Sequence, residues 1–200
     1  MTGPPPTPGI HHVTCITSDP QENMDFWVET LGLRLVKQSI NQDDPTTYHF
    51  FFADEAGTPG TSMTFFPWED ISRGKVGSGQ VSRTAFRVPA GSLDYWEARF
   101  DEYDVEYEDR LERFGEVVLP FNDPGGLPVE LVETEIPEDD LTVPWTAFVP
   151  ESAAIRGFHS VTLWIGDPDP TKDLLRTMGF EEVGTEQSPG DTPGDERTRF

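Results

Sequence analysis

A single cysteine, Cys15, rules out an intramolecular disulfide, and with it the small disulfide-stapled secreted domain. Lysine occurs three times, at Lys37, Lys75 and Lys172, and 14 Lys and Arg stand against 37 Asp and Glu for a net charge of −23. A field that negative repels nucleic acid and anionic membrane, so neither is an expected partner. Acid excess with so little lysine suits a surface adapted to high salt, where counterions screen the self-repulsion, and a halophilic source is expected. No apolar run reaches membrane-spanning length. Residues 1–8, four of them proline, lack the positive charge and apolar stretch of a secretory signal and read as a flexible lead-in. A cytoplasmic location is the expectation.

What is present is a folding composition: 35% hydrophobic residues, with 14 Phe, 5 Trp and 4 Tyr. With 18 Gly and 19 Pro, well above the roughly 12% of average usage, the elements are expected to be short and the turns many. The chain also repeats itself. Gly9–Pro20 reads GIHHVTCITSDP and Gly157–Pro168 reads GFHSVTLWIGDP, matching at Gly, His11/His159, Val13/Val161, Thr14/Thr162 and Asp-Pro. A short helix should follow each copy. In the first, Asp19 is placed to N-cap, Pro20 suits the first helical position, Met24, Trp27 and Leu31 form a core-facing stripe, and Gly32 ends the helix. In the second, Leu174, Leu175 and Met178 form the stripe and Gly179 ends it.

Strands are expected at Leu33–Lys37, Tyr48–Ala53 and Ser62–Phe66, then at Val81–Val88, Glu116–Leu119 and Val129–Val132, with a helix over Ser92–Tyr103. A further strand is expected at Phe180–Gly184, and the start of another at Thr198–Phe200 after a Gly/Pro/Asp loop. The fold class is therefore α+β: tandem βαβββ units, two complete and a third incomplete. The units span residues 9–80, 81–133 and 157–200, with an acidic, proline-bearing linker at 134–156. Gly74–Gly79 is glycine-rich without phosphate-loop spacing and reads as the connection between the first two units.

This arrangement resembles the vicinal oxygen chelate (glyoxalase/bleomycin resistance/extradiol dioxygenase) superfamily. His11-His12-Val13-Thr14, Gln21-Glu22-Asn23, Asp25-Phe26-Trp27, Tyr48-His49 and the run Ala53-Asp54-Glu55-Ala56-Gly57-Thr58-Pro59-Gly60-Thr61 are similar to its hydroquinone-type ring-cleaving dioxygenases. Gly91-Ser92-Leu93, Arg113-Phe114-Gly115 and Arg156-Gly157-Phe158-His159-Ser160 continue the likeness. The resemblance implies four such units, and Fe(II), or alternatively Mn(II), held by two His and one Glu. It also implies a small dihydroxylated aromatic substrate cleaved with O₂. His12 falls at the position of the ligand on the opening strand. The family's other His and its Glu belong to the fourth unit, so the chain is expected to be the N-terminal part of such an enzyme. A homo-oligomer is left open.

Such a triad suits Fe(II) because it leaves three open positions on one face for two substrate oxygens and O₂. Consecutive strand residues face opposite ways, so His11 and His12 are expected to diverge. Ser160 falls at the repeat position of His12, so His159 is not expected to be a ligand. His11, Thr14 and His49 are candidates to contact substrate or to hydrogen-bond a ligand, though His49, in its aromatic strand, reads first as a packed core residue. Glu130, in the apolar strand Val129–Val132, must be paired, metal-bound or facing water. It is the alternative metal ligand. No general base is assignable. Two other readings stay open: a glyoxalase-like metal-dependent lyase or isomerase using His12 and Glu130, and a non-catalytic small-molecule-binding module.

Overall fold

The computed structural model describes residues 7, 9–69, 71–72, 74–75, 77–187 and 196–200. The rest of the lead-in and most of the Gly/Pro/Asp loop of the third unit lie outside them. The first unit runs β1 (His12–Thr17), α1 (Pro20–Asp25), β2 (Arg34–Ile40), β3 (Tyr48–Ala53) and β4 (Ser62–Pro67). The second runs β5 (Gln80–Pro89), α2 (Leu93–Glu102), β6 (Leu111–Arg113), β7 (Glu116–Asn122) and β8 (Pro128–Thr134). After these come β9 (Phe158–Trp164), α3 (Asp169–Thr177), β10 (Gly184–Gln187) and β11 (Glu196–Arg199).

The first sheet has the order β1-β4-β3-β2 and the second β6-β7-β8-β5-β9. In each, the opening strand lies parallel beside the fourth strand of its unit, β1 with β4 and β5 with β8, and the other strands of the unit pair antiparallel. The opening strand of the third unit, β9, joins the second sheet antiparallel to β5. β10 and β11 form a separate hairpin. Among the described residues no helix is long and apolar enough to cross a membrane.

Local chemistry explains the first helix. Asp19 Oδ1 accepts from the N–H groups of Gln21 and Glu22 at 3.0 and 2.9 Å, and Pro20 takes the first helical position. The helix then widens into a π-helical turn over Phe26–Thr30. The carbonyls left over at its end are taken by a residue from the other unit: buried Arg99 of α2 donates to Thr30 O at 2.7 Å and Glu29 O at 2.5 Å. Gly32 closes the turn at φ +73, where a Cβ would lie 2.5 Å from Val149 Cγ2, so both the backbone and the packing require glycine.

One core serves both sheets. Trp27, fully buried, packs against Phe52, Phe65 and Phe86 at centroid distances of 6.4, 5.3 and 5.8 Å. Phe26 reaches Phe121 at 6.3 Å. Helix stripes and inner strand faces therefore meet in a single aromatic layer. The 134–156 stretch is exposed at Glu138 and Asp139 as its composition suggests, but Val149, Ala153, Ala154 and Ile155 are buried in this core. Trp96 Nε1 donates to Ala153 O at 3.0 Å.

One local expectation is corrected, and two features go beyond the sequence reading. The strand placed at Phe180–Gly184 lies at Gly184–Gln187, because strand pairing with Glu196–Arg199 sets its register and not the apolar Phe180. The β6 strand, Leu-Glu-Arg, escapes a sequence reading because three residues with one apolar side chain carry no period. The N-terminus of α2 receives no side-chain cap bond from Ser92; instead Glu133 Oε1 accepts from Leu93 N at 3.0 Å.

Candidate functional site

Alternation divides the first sheet into two faces. Val13, Cys15, Phe50, Phe52, Met63 and Phe65 point into or against the core. Burial drives the thiol of Cys15 up to about 12, with the Asp123 carboxyl adding to the effect, so it is an inert packing residue. The opposite face carries His12, Thr14 and Ile16 of β1, Thr64 and Phe66 of β4, and His49 and Phe51 of β3, which the ladder registers place side by side. His12 and Thr14 are exposed and Ile16 is 51% exposed. This second face is open.

The backbone at its head is fixed by the ADEAGTPGT motif. Asp54 accepts from Thr58 N and Val143 N, both at 2.8 Å, and so clamps the loop to the 134–156 stretch. Gly60 N donates to His11 O at 2.8 Å, while Gly60 O accepts from Phe158 N at 2.8 Å. The two repeat copies thus meet at Gly60. Gly157 is held so close there that a Cβ would lie 2.7 Å from Gly60 O. The motif's work, as the contacts show it, is to position the approach to β1.

His11 and His12 do not diverge as expected. Their Nδ1 atoms are 3.0 Å apart and the rings are edge to face. His11 precedes β1, so the strand's alternation does not govern it. One proton shared between the Nδ1 atoms sets the orientation of the His12 ring and leaves its Nε2 directed elsewhere. His49 is not a core residue. It lies on the open face with its ring between Phe51 and Phe66, at centroid distances of 4.0 and 4.1 Å. Its Nε2 is 3.0 Å from Thr64 Oγ1, which in turn donates to Thr14 Oγ1 at 2.9 Å. Burial, then the charges of Lys37 and His12, push the His49 imidazole below its ordinary value of 6.5.

The equivalent face of the second sheet is filled. Glu130, 2% exposed, accepts from Arg113 Nη1 at 2.7 Å and faces Arg83 Nη1 at 3.5 Å. Ala85, Val118 and Val132 form a small buried apolar cluster on the same sheet. Beside them Glu116 pairs with Arg199 at 2.5 Å and with His159 Nε2 at 3.1 Å. The β10–β11 hairpin docks over this cluster, and Glu186 accepts from Phe114 N at 2.8 Å. Burial lowers the His159 imidazole despite the Glu116 carboxylate, so the desolvation cost outweighs the ion pair. Desolvation raises Glu116 as well, but Arg199 and His159 hold its carboxyl below the usual range.

The structure therefore does not bring His12 and Glu130 together: they lie on different sheets, and guanidinium groups already neutralise Glu130. Among the described residues no group of three or more His, Cys, Asp and Glu is arranged to hold a metal ion. His12, with an exposed imidazole oriented by His11, fits the role of one donor.

Two βαβββ units, each with its first strand parallel to its fourth, define the class of fold to which this molecule conforms. The model of the Glyoxalase/Bleomycin resistance protein/Dioxygenase superfamily matches residues 9–131. The chain belongs to that superfamily. It is 49% identical over 182 residues to "Putative ring-cleaving dioxygenase MhqO" of Bacillus subtilis, covering 90% of this chain and 57% of that protein. It is 36% identical over 172 residues to the chlorohydroquinone/hydroquinone 1,2-dioxygenase of Sphingobium indicum, covering 84% and 53%. A crystal structure titled as a "putative dioxygenase" from B. subtilis superimposes with a TM-score of 0.82 at 48% identity, over 90% of this chain and 57% of that one. A glyoxalase family protein from Enterococcus faecalis shares the fold at 22% identity and a TM-score of 0.52. The chain spans a little over half the length of the curated relatives it matches.

Proposed function

We propose that this chain forms part of a metal-dependent, extradiol-type dioxygenase that opens hydroquinone- or catechol-like rings with O₂, and that His12 is one ligand of its Fe(II) or Mn(II). The observation that carries this reading is the open face of the first sheet, where an exposed, oriented imidazole shares a sheet face with half-buried aromatic rings. The names of relatives at 49% and 36% identity support the reaction class.

Each residue of the face has work in this reading. His11 holds His12 through its Nδ1, so the Nε2 lone pair is presented in one direction. Phe51 and Phe66, packed on the His49 ring, keep this part of the face apolar beside a bound ring. Thr14 presents a hydroxyl on the same face as His12 and two residues away, in reach of a ligand oxygen. The chemistry a bound ion supplies is the joint activation of a diol and O₂ at neighbouring coordination positions.

The glyoxalase-like alternative needs Glu130 as a ligand, and its pairing with Arg113 and Arg83 speaks against it. The test is metal content per chain after anaerobic Fe(II) loading, for the protein and for His12→Ala. Iron bound by the protein and lost in the variant supports the assignment of His12. Iron retained in the variant sinks it.

A further inference from the structure

Regular alternation along β2 would put Lys37 on the core side of the first sheet. Leu35, two residues before it, packs against the core and opposes Phe52. The β2–β3 ladder slips at this point: Leu35 opposes Phe52, Lys37 opposes Phe51, and Val36 is the extra residue between them. The slip has the form of a β-bulge, which reverses the parity of a strand and re-aims the side chain that follows. Lys37 therefore stands on the open face, with its Nζ 5.1 Å from the centroid of the Phe51 ring. Beyond it the ladder is regular again, with Gln38 opposite Phe50 and Ser39 opposite His49.

What the bulge places there is a cation. Lys37 is one of three lysines in a chain of net charge −23. It is exposed and ion-paired with none of the described residues. None of the residues that the ladders put on this face is acidic, so its local charge is positive where the chain as a whole is negative. The registers also carry one row straight across the sheet: Lys37 faces Phe51, Phe51 faces Thr64, and Thr64 faces Thr14. Thr14 lies two residues from His12 on the same strand face. The ammonium sits over β3, two strand spacings or about 10 Å from β1. A single aromatic ring with a carboxylate on the side opposite its hydroxyls spans such a gap. Packing alone, with the side-chain stem lying along Phe51, would be served as well by an uncharged chain of the same length.

We infer that Lys37 selects the ligand of this face by pairing its ammonium with a carboxylate on an aromatic ring. The diol end of that ligand rests on the ring-cleaving reading. The carboxylate end rests on the bulge, the ring contact and the unpaired charge, and stands apart from it. Lys37 is a specificity-determining residue: it touches the carboxylate and takes no part in opening the ring. The Phe51 ring beneath the ammonium holds it in place by cation–π attraction. Because the pair is exposed to solvent, its contribution falls as salt is added, with a screening length of about 10 Å at 0.1 M.

The first test needs neither metal nor diol. With three lysines in the chain, carbon-13 labelling gives three Cε signals, and Lys37→Arg identifies the one from Lys37. Titration with benzoate should shift that signal and leave those of Lys75 and Lys172 in place, and uncharged benzamide should shift none. No shift at Lys37, or equal shifts at all three lysines, overturns the inference whatever the protein's function. The second test compares 3,4-dihydroxybenzoate with 4-methylcatechol for binding to the Fe(II)-loaded protein without O₂. Lys37→Met should weaken the acid about fivefold, the upper end for an exposed ion pair, and leave methylcatechol unchanged. Lys37→Arg should restore the acid. A variant Lys37→Met that weakens both ligands alike, or neither, overturns the inference and leaves the ring-cleaving reading standing. Failure of both diols to bind the wild-type protein counts against the ring-cleaving reading; the carboxylate site then stands if benzoate shifts Lys37 and falls if it does not.

Discussion

The first and second sheets are built on one plan and use the same face in opposite ways. In each, the opening strand runs parallel to the fourth, and alternate residues turn away from the shared core. On the first sheet that face presents His12, Thr14 and the His49 ring with little cover. On the second it is closed by the β10–β11 hairpin and filled with paired charge, Glu130 with Arg113 and Arg83 and Glu116 with Arg199, and with the His159 imidazole against Glu116. A buried carboxylate in this fold can be satisfied by a metal ion or by guanidinium groups, and the second sheet uses guanidinium. Duplicating a fold therefore does not duplicate its site; the side chains facing the cavity decide whether it is left available or packed shut.

The largest effect should come from breaking the filled face. Arg113→Ala leaves Glu130 with the more distant Arg83 alone, and removing one partner of a buried pair costs about 3–5 kcal/mol. We expect the low end of that range, about 3 kcal/mol, read as a lowered urea midpoint. If Arg113→Ala unfolds at the wild-type midpoint, the pair carries no such burden. The double variant Arg113→Met with Glu130→Leu should recover stability to within about 1 kcal/mol of wild type or exceed it, because the buried carboxylate is gone and the charge left behind, Arg83, is 25% exposed and can turn to water. A double variant as weak as the single one would mean the cluster specifies the packing of the hairpin beyond its charge balance.

A smaller effect concerns pH. His159 is neutralised by burial, so its folded pKa lies below the unfolded value near 6.5. Below that value the unfolded chain binds a proton that the folded chain does not, and stability must fall as pH drops. Glu116 has a depressed folded pKa, so its contribution is present above the ordinary carboxylate value of 4.5 and is lost as pH falls through the folded one. Both act in the same direction, at successive acid windows. His159→Gln should flatten the first of these, seen as a smaller drop in urea midpoint between pH 7.5 and pH 5.5. An unchanged drop would place the titrating group elsewhere, with His49 the next candidate because it is shifted the same way.

The smallest effect on stability should be at the open face. His12→Ala removes an exposed side chain from a strand and should change stability by less than about 0.5 kcal/mol, although it abolishes iron binding if the proposed ligation holds. A loss of several kcal/mol, as at Arg113, would mean that His12 is a structural residue and would erase the contrast between the faces.

Much of the fold is legible in particular residues. Tyr48–Ala53 is bounded as its aromatic run suggests, and Asp19, Pro20 and Gly32 each do at the first helix what their side chains predispose them to do. The site was legible in part. His12 and Thr14 share one strand face, as alternation requires, yet His11 joins His12 because the strand begins one residue later than the motif. His49, read first as a core residue, lies on the open face: its strand is aromatic on both sides, so composition did not separate them.

By itself the sequence determined the repeat, the element types and the family, because caps, strand alternation and glycine turns act over a few residues. Only the tertiary structure decided what the face of each sheet turned away from the core became. Glu130 is 17 residues from Arg113 and 47 from Arg83, and Thr64 is 50 from Thr14, so no local pattern announces these pairs. They exist because strand order and register bring distant side chains within hydrogen-bond reach, where burial makes an unpaired polar group costly and so selects the partner.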